Sequence, residues 1–190
     1  MKVCSLYKNW FSAEDCDYIT RYADKILDVK EATVGRDKKE TIHKTRKSQT
    51  GFITKNGLAN SELWYFVSSK LVDIITDANK KVYGFSISGI DAIQYTVYSN
   101  AGDHYSWHTD TFFDQSPFQR KLSVTLQLTD PSTYKGGDFE LLQRHEYSLE
   151  ELRQKGNVLV FPSFLSHRVT PVIEGERKSI VAWFDGRRFQ

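Results

Sequence analysis

Cysteine and proline are scarce in this chain of 190 residues, which has two of the former and four of the latter. Two cysteines, Cys4 and Cys16, are too few for a disulfide scaffold or a thiolate zinc site. With so few prolines and no internal repeat, no extended linker or repeat array divides the chain. We therefore expect one domain over residues 1–190.

Long apolar runs are also missing from the sequence. None approaches the ~18–20 residues that a membrane helix needs. The first residues, Met1–Trp10, lack the apolar stretch of a secretory signal. The sequence therefore predicts a cytoplasmic protein that has no membrane partner.

Charge of one sign is nearly balanced by the other, because 26 Lys+Arg face 24 Asp+Glu and give a formal net charge of +2. A dedicated nucleic-acid binder carries a clear cationic excess, so we do not expect a nucleic-acid partner. One local excess lies within residues 36–47, which is either a solvated loop or a cationic flap over a site. Its basic members are Arg36, Lys38, Lys39, Lys44, Arg46 and Lys47.

Aromatic residues are plentiful at 14%, which favours a β-rich interior. The first part of the chain nevertheless predicts helices. Ser12 is a helix N-cap candidate followed by acidic residues, and apolar residues at helical spacing continue to about Asp28. A second helix is predicted from Asn60 to Ala78, with a loop or loose strands over 30–56 between the two. Residues 1–84 thus read as a helical support with a flexible loop.

After Gly84 the apolar pattern changes to period two, which is typical of strands. Short strand-like runs with no helices between them predict an antiparallel jelly roll over 85–190, with the helices packed on one face. The fold class is therefore mainly β with N-terminal helices (α+β). The predicted strands are Ile90–Tyr98, Lys121–Thr129, Asp138–Gln143, Val158–Phe161, Arg168–Val172 and Ile180–Phe184.

Two histidines and an aspartate form a candidate metal site. We place His108 and Asp110 at the start of a strand, where residues two apart point to one face, and expect closure of the barrel to bring His167 opposite them. Two imidazoles and one carboxylate on one face of an octahedral ion leave three positions open, as in non-haem Fe(II) oxygenases. Arg177, on the next strand, could pair with the far carboxylate of a bidentate 2-oxo acid. Each residue alone has an ordinary structural interpretation; the combination favours the metal site.

Several motifs together resemble those of the prolyl-4-hydroxylase-like branch of the Fe(II)/2-oxoglutarate oxygenases, and in particular its bacterial and phage PKHD-type hydroxylases. The resemblance covers about residues 90–186, extends more weakly to Arg46–Ser48, and implies a double-stranded β-helix, which is a jelly roll. The motifs are Gly102-x-x-Tyr105-x-x-His108-x-Asp110, Gly136-Gly137-Asp138-Phe139, Gly156-Asn157-Val158, Phe161-Pro162-Ser163, His167-Arg168-Val169-Thr170-Pro171-Val172 and Gly175-x-Arg177-x-Ser179.

The resemblance also implies roles for individual residues. His108, Asp110 and His167 would bind Fe(II), and Arg177 would hold the distal carboxylate of 2-oxoglutarate. Tyr98 would hydrogen-bond this co-substrate. The other expected contacts are Thr125, Gln127, Phe139 and Trp183 around the co-substrate, and Tyr105, Trp107 and Arg46 on the substrate side.

The implied reaction is hydroxylation of an unactivated C–H bond with O2, releasing succinate and CO2, with ascorbate as a possible reductant. The resemblance suggests a peptidyl prolyl substrate, over which residues 33–50 would close. Three alternatives stay open for the substrate: a free amino acid, a small metabolite or a nucleobase. A non-catalytic jelly-roll module that binds a metal is a fourth interpretation.

Overall fold

The structure is a computed structural model, and it describes residues 3–32, 45–111 and 116–189. Three α-helices are described, α1 (Ala13–Ile26), α2 (Leu58–Ala78) and α3 (Leu149–Arg153), and α2 continues into a π-helical turn, Asn79–Tyr83. The described strands are β1 (Ser5–Tyr7), β2 (Lys30–Glu31), β3 (Arg46–Lys47), β4 (Gln49–Ile53), β5 (Gly89–Tyr98), β6 (His104–His108), β7 (Phe118–Gln127), β8 (Lys135–Gly136), β9 (Phe139–Leu141), β10 (Val158–Pro162), β11 (His167–Val169), β12 (Val172–Glu174) and β13 (Arg177–Arg187).

Helix α1 begins where its capping residues predict. The Ser12 hydroxyl accepts the Asp15 N–H at 3.1 Å, and the Asp15 carboxylate accepts the Ser12 N–H at 3.0 Å, which satisfies two backbone donors at once. Helix α2 starts at Leu58, two residues before the predicted start at Asn60. None of the described helices is long and apolar enough to cross a bilayer.

A seven-stranded antiparallel sheet forms the larger half of the fold, in the order β1-β10-β7-β13-β5-β4-β2. Alternate residues of its central strands are apolar and pack against α1 and α2. These residues include Ile93, Tyr95, Val97, Leu122, Val124, Leu126, Ile180, Ala182 and Phe184. The helices therefore cover one face of this sheet, as predicted, and leave the other face for a second layer.

The second layer is a four-stranded sheet in the order β3-β6-β11-β9, accompanied by the β8–β12 pair. Its strands face the polar side of the larger sheet. This antiparallel arrangement of two facing sheets confirms the predicted jelly-roll fold class. The space between the two sheets is where the predicted site residues lie.

Strand β6, His104–His108, was not among the predicted strands. The expectation that His108 and Asp110 open a strand is wrong, because His108 is the last residue of β6 and Asp110 lies in the bend that follows. The two side chains come together through this bend and not through strand alternation.

Candidate metal centre

Three potential ligands converge between the two sheets. His108 and His167 are paired neighbours on β6 and β11, and their ring centroids are 4.2 Å apart. The Nε2 atoms of His108 and His167 lie 3.6 and 3.4 Å from the two carboxylate oxygens of Asp110. One ligand atom from each residue falls within 4.8 Å of the others, and no other such trio occurs in the part of the chain that the structure describes.

Both histidines are held in the tautomer that a metal requires. The Nδ1 atom of His108 is 2.8 Å from the Ser106 carbonyl, and that of His167 is 2.9 Å from the Leu165 carbonyl. A carbonyl only accepts, so each Nδ1 carries the hydrogen and each Nε2 keeps its lone pair. Burial, followed by the neighbouring His167, lowers the pKa of His108 to about 4, so its ring is neutral at neutral pH.

The Asp110 carboxyl is buried and ionised. Burial alone would raise its pKa, but His167, His108 and the Ser123 hydroxyl outweigh burial and hold the pKa below its usual range. The Trp183 indole also lowers this pKa, although its buried N–H completes no hydrogen bond of ordinary geometry with a described residue. Two imidazoles beside one carboxylate fit a divalent cation that keeps open positions.

Tyr105 and His108 are three residues apart on strand β6, yet their side chains lie on the same side of the strand. Its pairing with β11 joins His108 to His167 and Tyr105 to Val169, so three steps on one strand oppose two on the other. This bulge brings the Tyr105 ring onto the His108 ring, with centroids 3.5 Å apart and planes 14° apart. Tyr105 thereby forms a wall of the site.

A cavity of about 270 Å³ opens from the three potential ligands. Seven residues that the sequence predicted to bind co-substrate or substrate, or to hold it in place, line this cavity. They are Tyr98, Thr125, Phe139, Trp183, Arg177, Tyr105 and Arg46. A larger groove of about 870 Å³ beside α2 contains none of the predicted site residues.

Arg177 lies inside this cavity with only 2% of its surface exposed. Its Nη2–H donates to the Gln127 side-chain carbonyl at 2.9 Å and its Nη1–H to the Ser179 hydroxyl at 3.3 Å, while the Tyr98 ring lies 5.3 Å from the guanidinium carbon. No carboxylate among the described residues pairs with it. A buried cation normally has an anionic partner, so this position suits the carboxylate of a ligand.

Gln127 and Trp107 lie elsewhere than expected. Gln127 stands behind Arg177 and does not line the cavity, so it holds the guanidinium in place. Trp107 is 41% exposed and packs under Arg168 on the outer side of β6, away from the cavity. Residues 33–44, which include most of the predicted flap, lie outside the described residues.

Sequence reasoning missed Ser123 and Arg120. The Ser123 hydroxyl donates to Asp110 at 2.7 Å, and its strand position could have been found because it shares a face with Thr125 and Gln127. Arg120 lines the cavity with its guanidinium carbon 3.9 Å from the Trp183 ring centroid, and its Nε–H donates to Asp91 at 2.6 Å. Nothing in its local sequence distinguishes it from a surface arginine.

Comparison with protein families points in the same direction as this geometry. The model of the 2OG-Fe(II) oxygenase superfamily matches residues 93–185, which hold all three potential metal ligands and Arg177. Residues 93–185 thus resemble a 2OG-Fe(II) oxygenase domain. The matched residues run from within β5 to near the end of β13, and the match agrees with the resemblance seen in the sequence motifs.

Curated proteins similar to this part of the chain include PKHD-type hydroxylases. One from Synechococcus sp. (strain CC9605) is 37% identical over 87 residues, which are 46% of this chain and 39% of that protein. One from Shewanella baltica (strain OS185) is 33% identical over 86 residues, covering 43% of this chain and 38% of that protein. The chain therefore spans well under half the length of these relatives.

Solved structures with the same fold include two prolyl hydroxylases. A prolyl-4-hydroxylase of Pseudomonas putida gives a TM-score of 0.71 at 19% identity, covering 100% of this chain and 95% of that one. A prolyl hydroxylase of Trichoplax adhaerens, solved with a peptide fragment of a hypoxia-inducible factor, gives 0.73 at 16% identity, covering 97% and 84%. The shared fold therefore extends beyond residues 93–185 to the residues that precede them.

Proposed function

We propose that this protein is an Fe(II)- and 2-oxoglutarate-dependent hydroxylase of an unactivated C–H bond. The observation that carries the proposal is the convergence of His108, Asp110 and His167 at one end of a cavity that also holds the unpaired guanidinium of Arg177. His108, Asp110 and His167 would hold the iron. Arg177 would hold the distal carboxylate of 2-oxoglutarate.

Bound Fe(II), 2-oxoglutarate and O2 would together supply the oxidising power for the reaction, with succinate and CO2 released. The chain's own residues would bind the metal and 2-oxoglutarate and orient them. Gln127 and Ser179 fix the Arg177 fork so that it meets a carboxylate with two parallel hydrogen bonds. The buried rings of Phe139 and Phe161 lie 5.6 and 4.9 Å from the His167 ring and exclude water from that side of the site.

A peptidyl prolyl residue is the substrate that we favour. The curated relatives are named hydroxylases of the PKHD type, and one structural neighbour was solved with a peptide. The substrate side of the cavity has the aromatic walls Tyr105 and Trp183, with Arg46 beside Tyr105 at 4.4 Å from the ring centroid. Aromatic walls suit an apolar ring, and the Arg46 donors suit a peptide carbonyl.

A second candidate, hydroxylation of a free amino acid, is favoured by the same Arg46. This residue is 7% exposed, and its Nε–H donates to the Ser48 hydroxyl at 2.9 Å. No carboxylate of the described residues pairs with its guanidinium, so the carboxylate of a small substrate could do so. A peptide and a free amino acid therefore use the same residue in different ways.

The test of the oxygenase activity begins without oxygen. We expect protein with Fe(II) and 2-oxoglutarate to show the weak visible charge-transfer band of the chelate, and His108→Ala to lose it. His104→Ala is the matched control and keeps the band, because the His104 Nδ1 lies 2.8 Å from the Gly102 carbonyl and the ring does not line the cavity. A His108→Ala protein with an unchanged band would contradict the assignment and favour a non-catalytic module.

Turnover then identifies the substrate class. Succinate release in air is measured with a proline-containing peptide, free amino acids including proline, small metabolites, and a methylated oligonucleotide, each with and without ascorbate. We expect stimulation by the peptide above the uncoupled rate. Stimulation by free amino acids alone would support the second candidate, and stimulation by the oligonucleotide alone would refute both.

A further inference from the structure

Asp110 is the potential ligand whose position strand pairing does not fix, because it lies beyond the end of β6. Its backbone is held from the neighbouring turn instead. The N–H groups of Asp110 and Thr111 both donate to the Ser163 carbonyl, at 2.8 and 3.2 Å, and the Ser163 N–H donates to the Lys121 carbonyl at 2.9 Å. Ser163 therefore ties the bend that carries Asp110 to β7.

Ser163 is also linked to the Asp110 side chain, through the hydroxyl of Ser123. Ser123 donates to Asp110 Oδ2 at 2.7 Å, and the hydroxyl oxygens of Ser123 and Ser163 are 2.9 Å apart. A hydroxyl has one hydrogen and Ser123 gives its own to the carboxylate, so Ser163 must donate to Ser123. Both serines are fully buried, so water does not compete for these bonds.

We propose that Ser123 and Ser163 are positioning residues that make Asp110 bind the metal through a single oxygen. This inference rests on the proposed function. The chain of hydrogen bonds runs from Ser163 to Ser123 to Oδ2, the oxygen that lies 3.4 Å from His167 Nε2. This donor competes with a metal for Oδ2 and so favours Oδ1, 3.6 Å from His108 Nε2, as the ligand atom.

Single-oxygen binding decides how many positions stay open on the metal. Carboxylates bind metals through one oxygen or through two. With two imidazoles and one carboxylate oxygen, an octahedral ion keeps three positions, enough for a chelating 2-oxo acid and O2. With both carboxylate oxygens bound, only two remain, and the second oxygen competes with 2-oxoglutarate. The second oxygen that is freed by loss of the Ser123 hydroxyl should therefore weaken the binding of 2-oxoglutarate. Loss of the hydrogen bond that orients Asp110 should in addition weaken the binding of the metal.

The experiment titrates metal-free, full-length protein with Co(II) under nitrogen and then titrates the Co(II) form with 2-oxoglutarate, following the visible absorption of Co(II) in both. For Ser123→Ala we expect about tenfold weaker Co(II) binding, the size typical of losing a partner of a metal ligand. We also expect a changed Co(II) spectrum and weaker binding of 2-oxoglutarate. Ser163→Ala should give smaller changes in the same direction, because Ser123 still donates to Asp110.

Ser68→Ala is the matched control, since Ser68 is a buried serine on α2 outside the site, and we expect it to behave as wild type. Circular dichroism checks that each variant is folded, and Ser163→Ala alone decides the matter if Ser123→Ala does not fold. A spectrum and two affinities equal to wild type would overturn the inference while leaving the proposed function intact. A wild-type protein that binds no Co(II) would instead overturn the proposed function.

Discussion

Neighbouring residues on one short strand have opposite surroundings. Arg46 of β3 is buried over the Tyr105 ring and lines the cavity, whereas Lys47 is half exposed and its Nζ lies 3.4 Å from Asp103 Oδ1. The charge pattern placed both residues in one basic cluster, and only the family resemblance assigned Arg46 to the substrate side. The strand geometry separates them, because successive side chains point to opposite faces.

Replacement of Arg46 tests the substrate side of the cavity. For Arg46→Met we expect about a tenfold higher KM for the substrate that the turnover panel identifies, since one hydrogen bond to a charged group is lost, with an unchanged affinity for 2-oxoglutarate. Lys47→Met is the matched control and should leave both constants as they are. Equal losses of substrate and 2-oxoglutarate affinity in Arg46→Met would place the residue in the co-substrate site instead.

At the scale of elements, strand β6 shows where sequence reasoning fails. Its sequence, His104–His108, alternates the aromatic residues Tyr105 and Trp107 with polar ones, but this alternation does not mark one buried face. The bulge turns Tyr105 and His108 to the same side, whereas Trp107 is exposed. By contrast β10 and β13 were recognised, since the buried apolar residues of their cores alternate or run continuously. In β6 the inward side consists of site residues and a bulge, so its alternation does not show which residues face inward.

The turn before β13 contains Gly175, two residues before Arg177, so a change in this turn can reach the site. Gly175 has φ +79°, and a Cβ there would lie 2.2 Å from the Thr133 carbonyl oxygen. Gly84 has φ +67° with open space around it, so Gly84→Ala measures the backbone penalty alone, about 1–2 kcal/mol. Gly175→Ala should lower the free energy of unfolding by about 1–3 kcal/mol more, as the turn must shift.

Urea denaturation of both glycine variants measures this difference, and 2-oxoglutarate affinity reports whether the shift reaches Arg177. We expect Gly175→Ala to bind 2-oxoglutarate more weakly than Gly84→Ala. Equal stabilities would mean that the turn accommodates the Cβ without moving.

At the scale of the whole molecule, the seven-stranded sheet has one apolar face and one polar face. The face toward the helices is apolar, and its alternation with polar residues allowed the jelly roll to be predicted. The two long helices were predicted from apolar residues at helical spacing. The face toward the smaller sheet is polar and includes Thr125, Gln127 and Arg177. The sequence could indicate which residues share that face, but not that Gln127 would support Arg177 or that Trp107 would point outward. The single-domain organisation stays a prediction.

Ligand binding should therefore stabilise the molecule by joining its two layers. His108 and His167 come from the smaller sheet and Arg177 from the larger one, so a metal with 2-oxoglutarate would contact both. At about one hundred times the dissociation constant, binding adds about 2.7 kcal/mol, and for a chain of this size that raises the Tm by about 5–10 °C. Mn(II) is suitable because it does not oxidise readily, and thermal unfolding followed by circular dichroism is the measurement.

His167→Ala supplies the control, because it lacks one of the two imidazoles, and with Mn(II) and 2-oxoglutarate it should show only the smaller rise that 2-oxoglutarate gives without metal. EDTA should return the wild-type Tm to its metal-free value. 2-Oxoglutarate without metal should give a smaller rise, since only Arg177 and its neighbours then hold it. An unchanged wild-type Tm with both ligands present would show that the two layers are not joined through this site, and would count against the metal centre itself.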